Sequence, residues 1–417
     1  MAHTPIPERP RTEVLKMDDP PVAESERHRP ETDQQFEIVD GVRVDRTLTD
    51  LFAAVASVAT FDGALYVVVR FLPEYLSVRG VGPVAIGAFG TFWLAITALD
   101  RRDTGRLPVL VAGATAGVLA WLVAPTVTDS TLALWVAVTA GGLGPAAWYW
   151  SRTAIGVPLA DAWPPASRST RRPGGPVWVL GPLVLSIIVL VLSASFSAGF
   201  RIVLALTVAL GGTAGALWLS LDDTGSQPSS RRVRTVPHLG DSLLEVAMGV
   251  VSVFVVLVVT RVLDVELAVL GIQLGSAATF GLLLLVEIVA GALARTAGPR
   301  LVGSIGSRPL LVYGSLVVAA FPLVLVSVPP TPLAVGGLFA IYGTRSLAGV
   351  ARRAGGAICR PASDRRRTVV VAAGPLLGGV LFAVDPVLAF GSATAIGAVG
   401  VWELARTHVT GAGWRDR

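Results

Sequence analysis

Beyond residue 46 the chain alternates between long apolar runs and short polar connections rich in arginine. Twelve runs reach the roughly 20 residues that an α-helix needs to cross about 30 Å of hydrocarbon. They are 49–72, 80–99, 107–125, 131–152, 176–196, 200–221, 242–262, 268–294, 309–328, 332–352, 368–384 and 386–406. The pattern predicts an all-α polytopic membrane protein with twelve transmembrane helices. Residues 1–46 read differently, with six prolines, many carboxylates and no apolar period. Such a segment buries too little surface to offset its ordering entropy, so a disordered tail is expected there. Residues 222–241 form a polar linker in mid-chain and 407–417 a short polar tail.

Composition sharpens this picture. Of 417 residues, 53% are hydrophobic and only 15% charged, and mean hydropathy is +0.66. A soluble chain of this length has no core able to hide so much apolar surface. The net charge of +5 is unevenly spread. Residues 1–50 hold 12 acids and 7 bases, which leaves −5 there and +10 for the remainder. Those bases are nearly all arginines, and 22 of the 27 beyond residue 50 fall on one side of the membrane if the N-terminus is cytoplasmic. The excess of positive charge in inner loops sets orientation, so both termini are expected inside. Loop arginines placed this way argue for membrane topology and against a nucleic-acid partner. A single cysteine, Cys359, excludes a disulfide framework and a thiolate cluster. The four histidines lie in polar stretches, and no phosphate-binding glycine loop occurs. No cofactor or metal is therefore expected, and no enzymatic constellation is visible.

The two sets of six runs repeat one another. Val67-Val68-Val69-Arg70-Phe71-Leu72 recurs as Val258-Val259-Thr260-Arg261-Val262-Leu263, at an offset of 191. Gly181-Pro182-Leu183 recurs as Gly374-Pro375-Leu376, and Ser151-Arg152-Thr153 answers Thr344-Arg345-Ser346, both at an offset of 193. Pro165-Ala166-Ser167 with Arg171-Arg172 answers Pro361-Ala362-Ser363 with Arg366-Arg367. The matches are collinear and divide the chain into halves, 47–221 and 242–406. Six plus six helices around a polar central loop is the parallel-repeat plan of secondary transporters.

With these features, and with Phe71-Leu72-Pro73-Glu74-Tyr75-Leu76 and Gly374-Pro375-x-x-Gly378-Gly379, the chain resembles the major facilitator superfamily over roughly residues 47–406. It departs from that pattern in the loop after the second run. There Asp100-Arg101 and Gly105-Arg106 are present with two extra residues between them, and Gly303-Ser304 replaces the Asp-Arg of the second half. The resemblance implies a monomeric transporter of a small solute in the cell membrane, in contact with membrane lipids. It also implies that the first, fourth, seventh and tenth helices line a central pathway.

Candidate residues follow from the cost of charge. An ionised side chain near the bilayer centre costs about 2.5–3.5 kcal/mol on insertion scales, so it calls for a partner or a wet cavity. Asp62 stands in the middle of the first run, and Tyr66 and Arg70 follow at i+4 and i+8 on the same face. Glu287 stands in the eighth run, with Gln273, Ser276 and Phe280 placed along its face and Arg345 as a candidate partner. Asp62 and Glu287 have no acidic counterparts in the other half, where Val253 and Ile96 stand. That asymmetry favours a specific role, as proton or substrate-cation sites, over helix packing alone. Arg70 and Arg261 are repeat equivalents at which snorkelling to the interface is the simpler reading. The expected function is secondary active transport by alternating access, with proton coupling through Asp62 or Glu287. The rival is a facilitator-like scaffold that no longer transports and serves as a membrane sensor or partner-binding protein.

Overall fold

Leu293, Leu333, Val384 and Trp402 stand largely exposed on helices whose opposite sides are packed. Helices that are apolar all round suit lipid rather than water. The computed structural model describes residues 41–99, 115–119, 184–188, 190, 195–220, 239–269, 272–354 and 365–409. Thr47–Arg417 form one compact unit.

The elements among these residues begin with α1 (Gly41–Val78), α2 (Pro83–Leu99) and α3 (Phe196–Ser220). Next come α4 (Leu239–Ser252) and the short α5 (Val255–Leu257), which runs into a π-turn at Val258–Val262. A β-hairpin, β1 (Leu267–Val269) and β2 (Ile272–Leu274), follows. The chain continues through α6 (Ser276–Ile305), α7 (Ser307–Ser327), α8 (Pro332–Gly343), α9 (Ser346–Ala354), α10 (Arg365–Val384) and α11 (Pro386–Val409).

Among the described residues five helices are long and apolar enough to cross a membrane: Phe196–Leu217, Ser276–Ile305, Ser307–Ser327, Pro332–Arg352 and Pro386–Arg406. A sixth is a bent pair, Leu239–Ser252 with Val255–Val262, turned by 47° at the break. Most of 107–125 and of 176–196, and all of 131–152, lie outside the described residues, as do residues 1–40 and the linker after Ser220.

Three expectations need correction, all at the start of the run 268–294, and two further spans prove irregular within. The run 268–294 is not helical from its start, because the hairpin occupies 267–274 and α6 begins at Ser276. Gln273 therefore lies in β2, paired with Ala268, and not on the helical face of Glu287. A short apolar strand and a buried helix turn look alike in hydropathy, which is why the run reads as continuous. The small sheet also makes the chain mostly helical rather than purely α. The run 332–352 breaks at Thr344–Arg345, where the Thr344 and Arg345 amides donate to Ile341 O and Tyr342 O at 2.9 and 3.2 Å. The run 242–262 bends between Ser252 and Val255 and then widens into the π-turn. Val258, Val259 and Thr260 are β-branched and crowd a regular helix, and Asp264 closes the segment with φ of 45°.

Packing uses two surfaces of opposite character. Small residues let backbones meet: a Cβ on Gly87 or Gly378 would collide with Pro375 O or Val250 O. Such glycine faces allow α2 and α4 to approach α10 closely, as in small-residue membrane interfaces. Elsewhere rings interlock. Phe71 meets Phe280 edge-on at 5.2 Å between ring centroids, and Tyr75 lies 4.9 Å from Phe200. Phe280 and Phe321 each contact Phe339 edge-on, at 6.1 and 5.7 Å. These rings all belong to the largest buried cluster among the described residues.

Candidate functional site

Glu287 sits eleven residues into α6 with 3% of its side-chain surface accessible. Its partners come from two other elements. Arg345, in the break between α8 and α9, donates from Nη2 to Glu287 Oε1 at 2.6 Å. Arg70, on α1, donates from Nη2 to Oε2 and Oε1 at 3.1 and 3.4 Å. One buried carboxylate is thus held between two guanidinium groups.

Local structure sets this geometry. Gly343 and Gly291 bring α8 and α6 together backbone to backbone, since a Cβ on Gly343 would strike Glu287 O. Ser346 Oγ donates to Gly291 O at 2.9 Å and ties the far side of the helix break to α6. The break then places Arg345 beside α6, and its Nη1 donates back to Tyr342 O at 2.9 Å. The Arg345 guanidinium lies 3.7 Å above the Tyr342 ring, and that ring stacks on Phe321 at 3.8 Å. Arg70 lies over the Tyr66 ring at 5.5 Å. Rings covering the guanidinium faces leave the edges for hydrogen bonds, the arrangement that suits arginine and not lysine.

A second ion pair lies one turn further along α1. Arg261, on the π-turn, donates to Glu74 from Nε and Nη2 at 3.2 Å, and the Thr260 hydroxyl lies 2.9 Å from Glu74 Oε2. Glu74 is buried, whereas Arg261 is 44% exposed.

Four of the five sequence candidates, Tyr66, Arg70, Glu287 and Arg345, therefore meet in one cluster. The fifth, Asp62, lies in α1 with its side chain outside the described residues. Arg70 does not reach outward: it turns to the buried Glu287 carboxylate. Sequence reasoning passed over Glu74, Thr260 and Tyr342. Glu74 carries a signal, standing at i+4 from Arg70 in the Pro73-Glu74-Tyr75 turn of α1, whereas a Tyr342 stack has none.

No protein-family model matches the sequence, and no curated protein matches it. Solved structures do. An aspartate-to-alanine mutant of nucleoside transporter NupG aligns with a TM-score of 0.59 at 14% identity, over 87% of this chain and 99% of that one. A POT family transporter in complex with a thioalcohol-conjugated peptide gives 0.59 at 12% identity, over 88% and 96%. A bacterial metal transporter gives 0.55 at 12% identity, over 89% and 99%. The chain has the major facilitator fold. Within this major facilitator fold Arg70 and Glu74 lie in the first half of the sequence repeat, and their partners Glu287 and Arg261 lie in the second.

Proposed function

We propose that the protein is a secondary transporter of a small solute, working by alternating access between two six-helix halves. The observation that carries this reading is the buried Arg70–Glu287–Arg345 cluster, placed between the halves of a fold shared with transporters of nucleosides, peptides and metals. Buried intramembrane charges are costly and mark solute or ion pathways. In this reading the chain has twelve spans, six before the 222–241 linker and six after it, in the cell membrane with both termini cytoplasmic. Both interhalf ion pairs must be remade whenever the halves rock apart on their side of the membrane. Proton coupling would run through Asp62 or Glu287, carboxylates well inside their spans that lack a repeat counterpart.

The test starts from purified protein. A solute that binds only the folded state raises apparent stability by mass action, so a solute library screened by thermal unfolding supplies a labelled hit. That hit should enter proteoliposomes holding the protein, with saturable kinetics. An imposed pH gradient should drive its accumulation, and Asp62→Asn or Glu287→Gln should remove the effect of the gradient while exchange persists. A hit that binds and never crosses would replace transport with the sensor reading.

A further inference from the structure

We propose that the Arg70–Glu287–Arg345 cluster is a binding site for a small monocarboxylate, completed by the solute's own negative charge. The inference rests on the transporter reading and names its substrate class.

Charge balance is the first ground. Among the described residues two guanidinium groups face one carboxylate, which leaves one positive charge in excess. The sequence offers little to neutralise it, because no acid occurs in 80–99, 107–125, 131–152 or 176–196. Asp62 stands eight residues before Arg70, about 12 Å along the helix axis, and the Tyr66 ring lies between them in sequence and against the guanidinium. A buried excess charge is paired or meets a ligand in most proteins.

Hydrogen bonding is the second. Arg70 Nε is buried and has no acceptor among the described residues. A buried donor left without an acceptor costs about 1–3 kcal/mol, more when charged. A carboxylate oxygen supplies that acceptor once the side chains covering Nε move aside. Carboxylates match the planar edge of a guanidinium, and the rings of Tyr66 and Tyr342 leave edges rather than faces free.

Accessibility is the third. Glu287 is 3% exposed, while Arg70 and Arg345 keep 15% and 31% of their side-chain surface accessible. The two cations thus carry the accessible surface of the cluster, and the carboxylate carries almost none. That arrangement favours an anion over a cation. A single added charge brings the cluster to zero, whereas a dianion would overshoot, so a monocarboxylate fits better than a phosphate ester or a dicarboxylate.

The experiment uses the purified full chain in lipid nanodiscs and a panel of monocarboxylates, from acetate through lactate to benzoate and phenylacetate. Each acid is paired with its own amide, with succinate and inorganic phosphate as multiply charged probes. Acids should raise the unfolding temperature in a saturable way, and their amides should not. Arg70→Gln should weaken the acid at least about tenfold, the loss of a charge-assisted hydrogen bond. Arg70→Lys should weaken it less. Glu287→Gln, which keeps shape and raises the cluster by one charge, should shift preference from benzoate towards succinate. A purely structural cluster would not change which ligand is preferred. The proposal is overturned if amides bind as well as acids, if succinate or phosphate outcompetes every monocarboxylate on the unaltered protein, or if no acid binds at millimolar concentration. Flux separates the two readings. A neutral or cationic solute carried into proteoliposomes without competition from acids would overturn this inference and leave transport standing. Arg70-dependent binding of an acid that is never carried would do the reverse.

Discussion

Arg70 and Arg261 hold the same position in the two sequence repeats, and each bonds a carboxylate belonging to the other half: Arg70 reaches Glu287, and Arg261 reaches Glu74. The two cross-ties are equivalent in position and different in surroundings. Arg70 is mostly buried and shares its carboxylate with a second arginine, whereas Arg261 is half-exposed and shares its carboxylate with the Thr260 hydroxyl. Repeat symmetry has thus placed both arginines, and burial has separated their roles.

Removing the central carboxylate should be severe. Glu287→Ala leaves two guanidinium groups facing each other without an anion, and breaking a buried pair costs about 3–5 kcal/mol. Glu287→Gln keeps the shape and hydrogen-bonding oxygen and should cost less. Thermal unfolding of the two purified variants, compared with the unaltered protein, checks the order.

The Arg261–Glu74 pair should respond unequally to loss of its members. Arg261→Ala strands the buried Glu74 with the Thr260 hydroxyl as its remaining partner, at a cost of about 1–3 kcal/mol. Glu74→Ala frees a half-exposed arginine that water can solvate, at a cost below about 1 kcal/mol. Unfolding temperatures that fall equally would contradict the burial difference.

Glycine positions should divide into two groups. Gly378→Ala drives a Cβ into the Val250 carbonyl and should destabilise by about 1–3 kcal/mol, as overpacking does. Gly391→Ala meets nothing within 4 Å and should be neutral or mildly stabilising. The yield of folded, monodisperse protein after mild heating distinguishes them.

Topology can be read from the one native thiol. Cys359 falls in a segment that also holds Arg352, Arg353, Arg360, Arg365, Arg366 and Arg367, a strong inner-face signal. A membrane-impermeant maleimide should leave intact cells unlabelled and react once the inner face is opened. Labelling of intact cells would invert the orientation or change the number of spans before it. If the thiol is silent in both, a cysteine placed at Ser229 should answer instead.

Much of the fold was legible because a membrane-spanning helix must be long and apolar. The expected run 309–328 matches α7 (Ser307–Ser327), and 386–406 matches α11 (Pro386–Val409). What failed was internal irregularity. Hydropathy does not separate the strand Leu267–Val269 from helix, and nothing apolar marks the break at Thr344–Arg345, which depends on Gly343 resting against α6. The site was legible in part for a related reason. Glu287 declares itself as an acid among apolar residues, and Arg345 was in view as its partner. The Arg70–Glu287 bond spans 217 positions and follows only from how α1 crosses α6.

The glycine faces on α2, α4 and α10 have a mechanical meaning as well. Interlocked rings such as Phe71, Phe280 and Phe339 resist being drawn past one another, since each fills a hollow in its neighbours. Backbone lying on backbone at Gly87 and Gly378 has no such interlocking side chains. A rolling of α2 on α10 about Gly87 would therefore disturb the packing less than a shear of the aromatic layer.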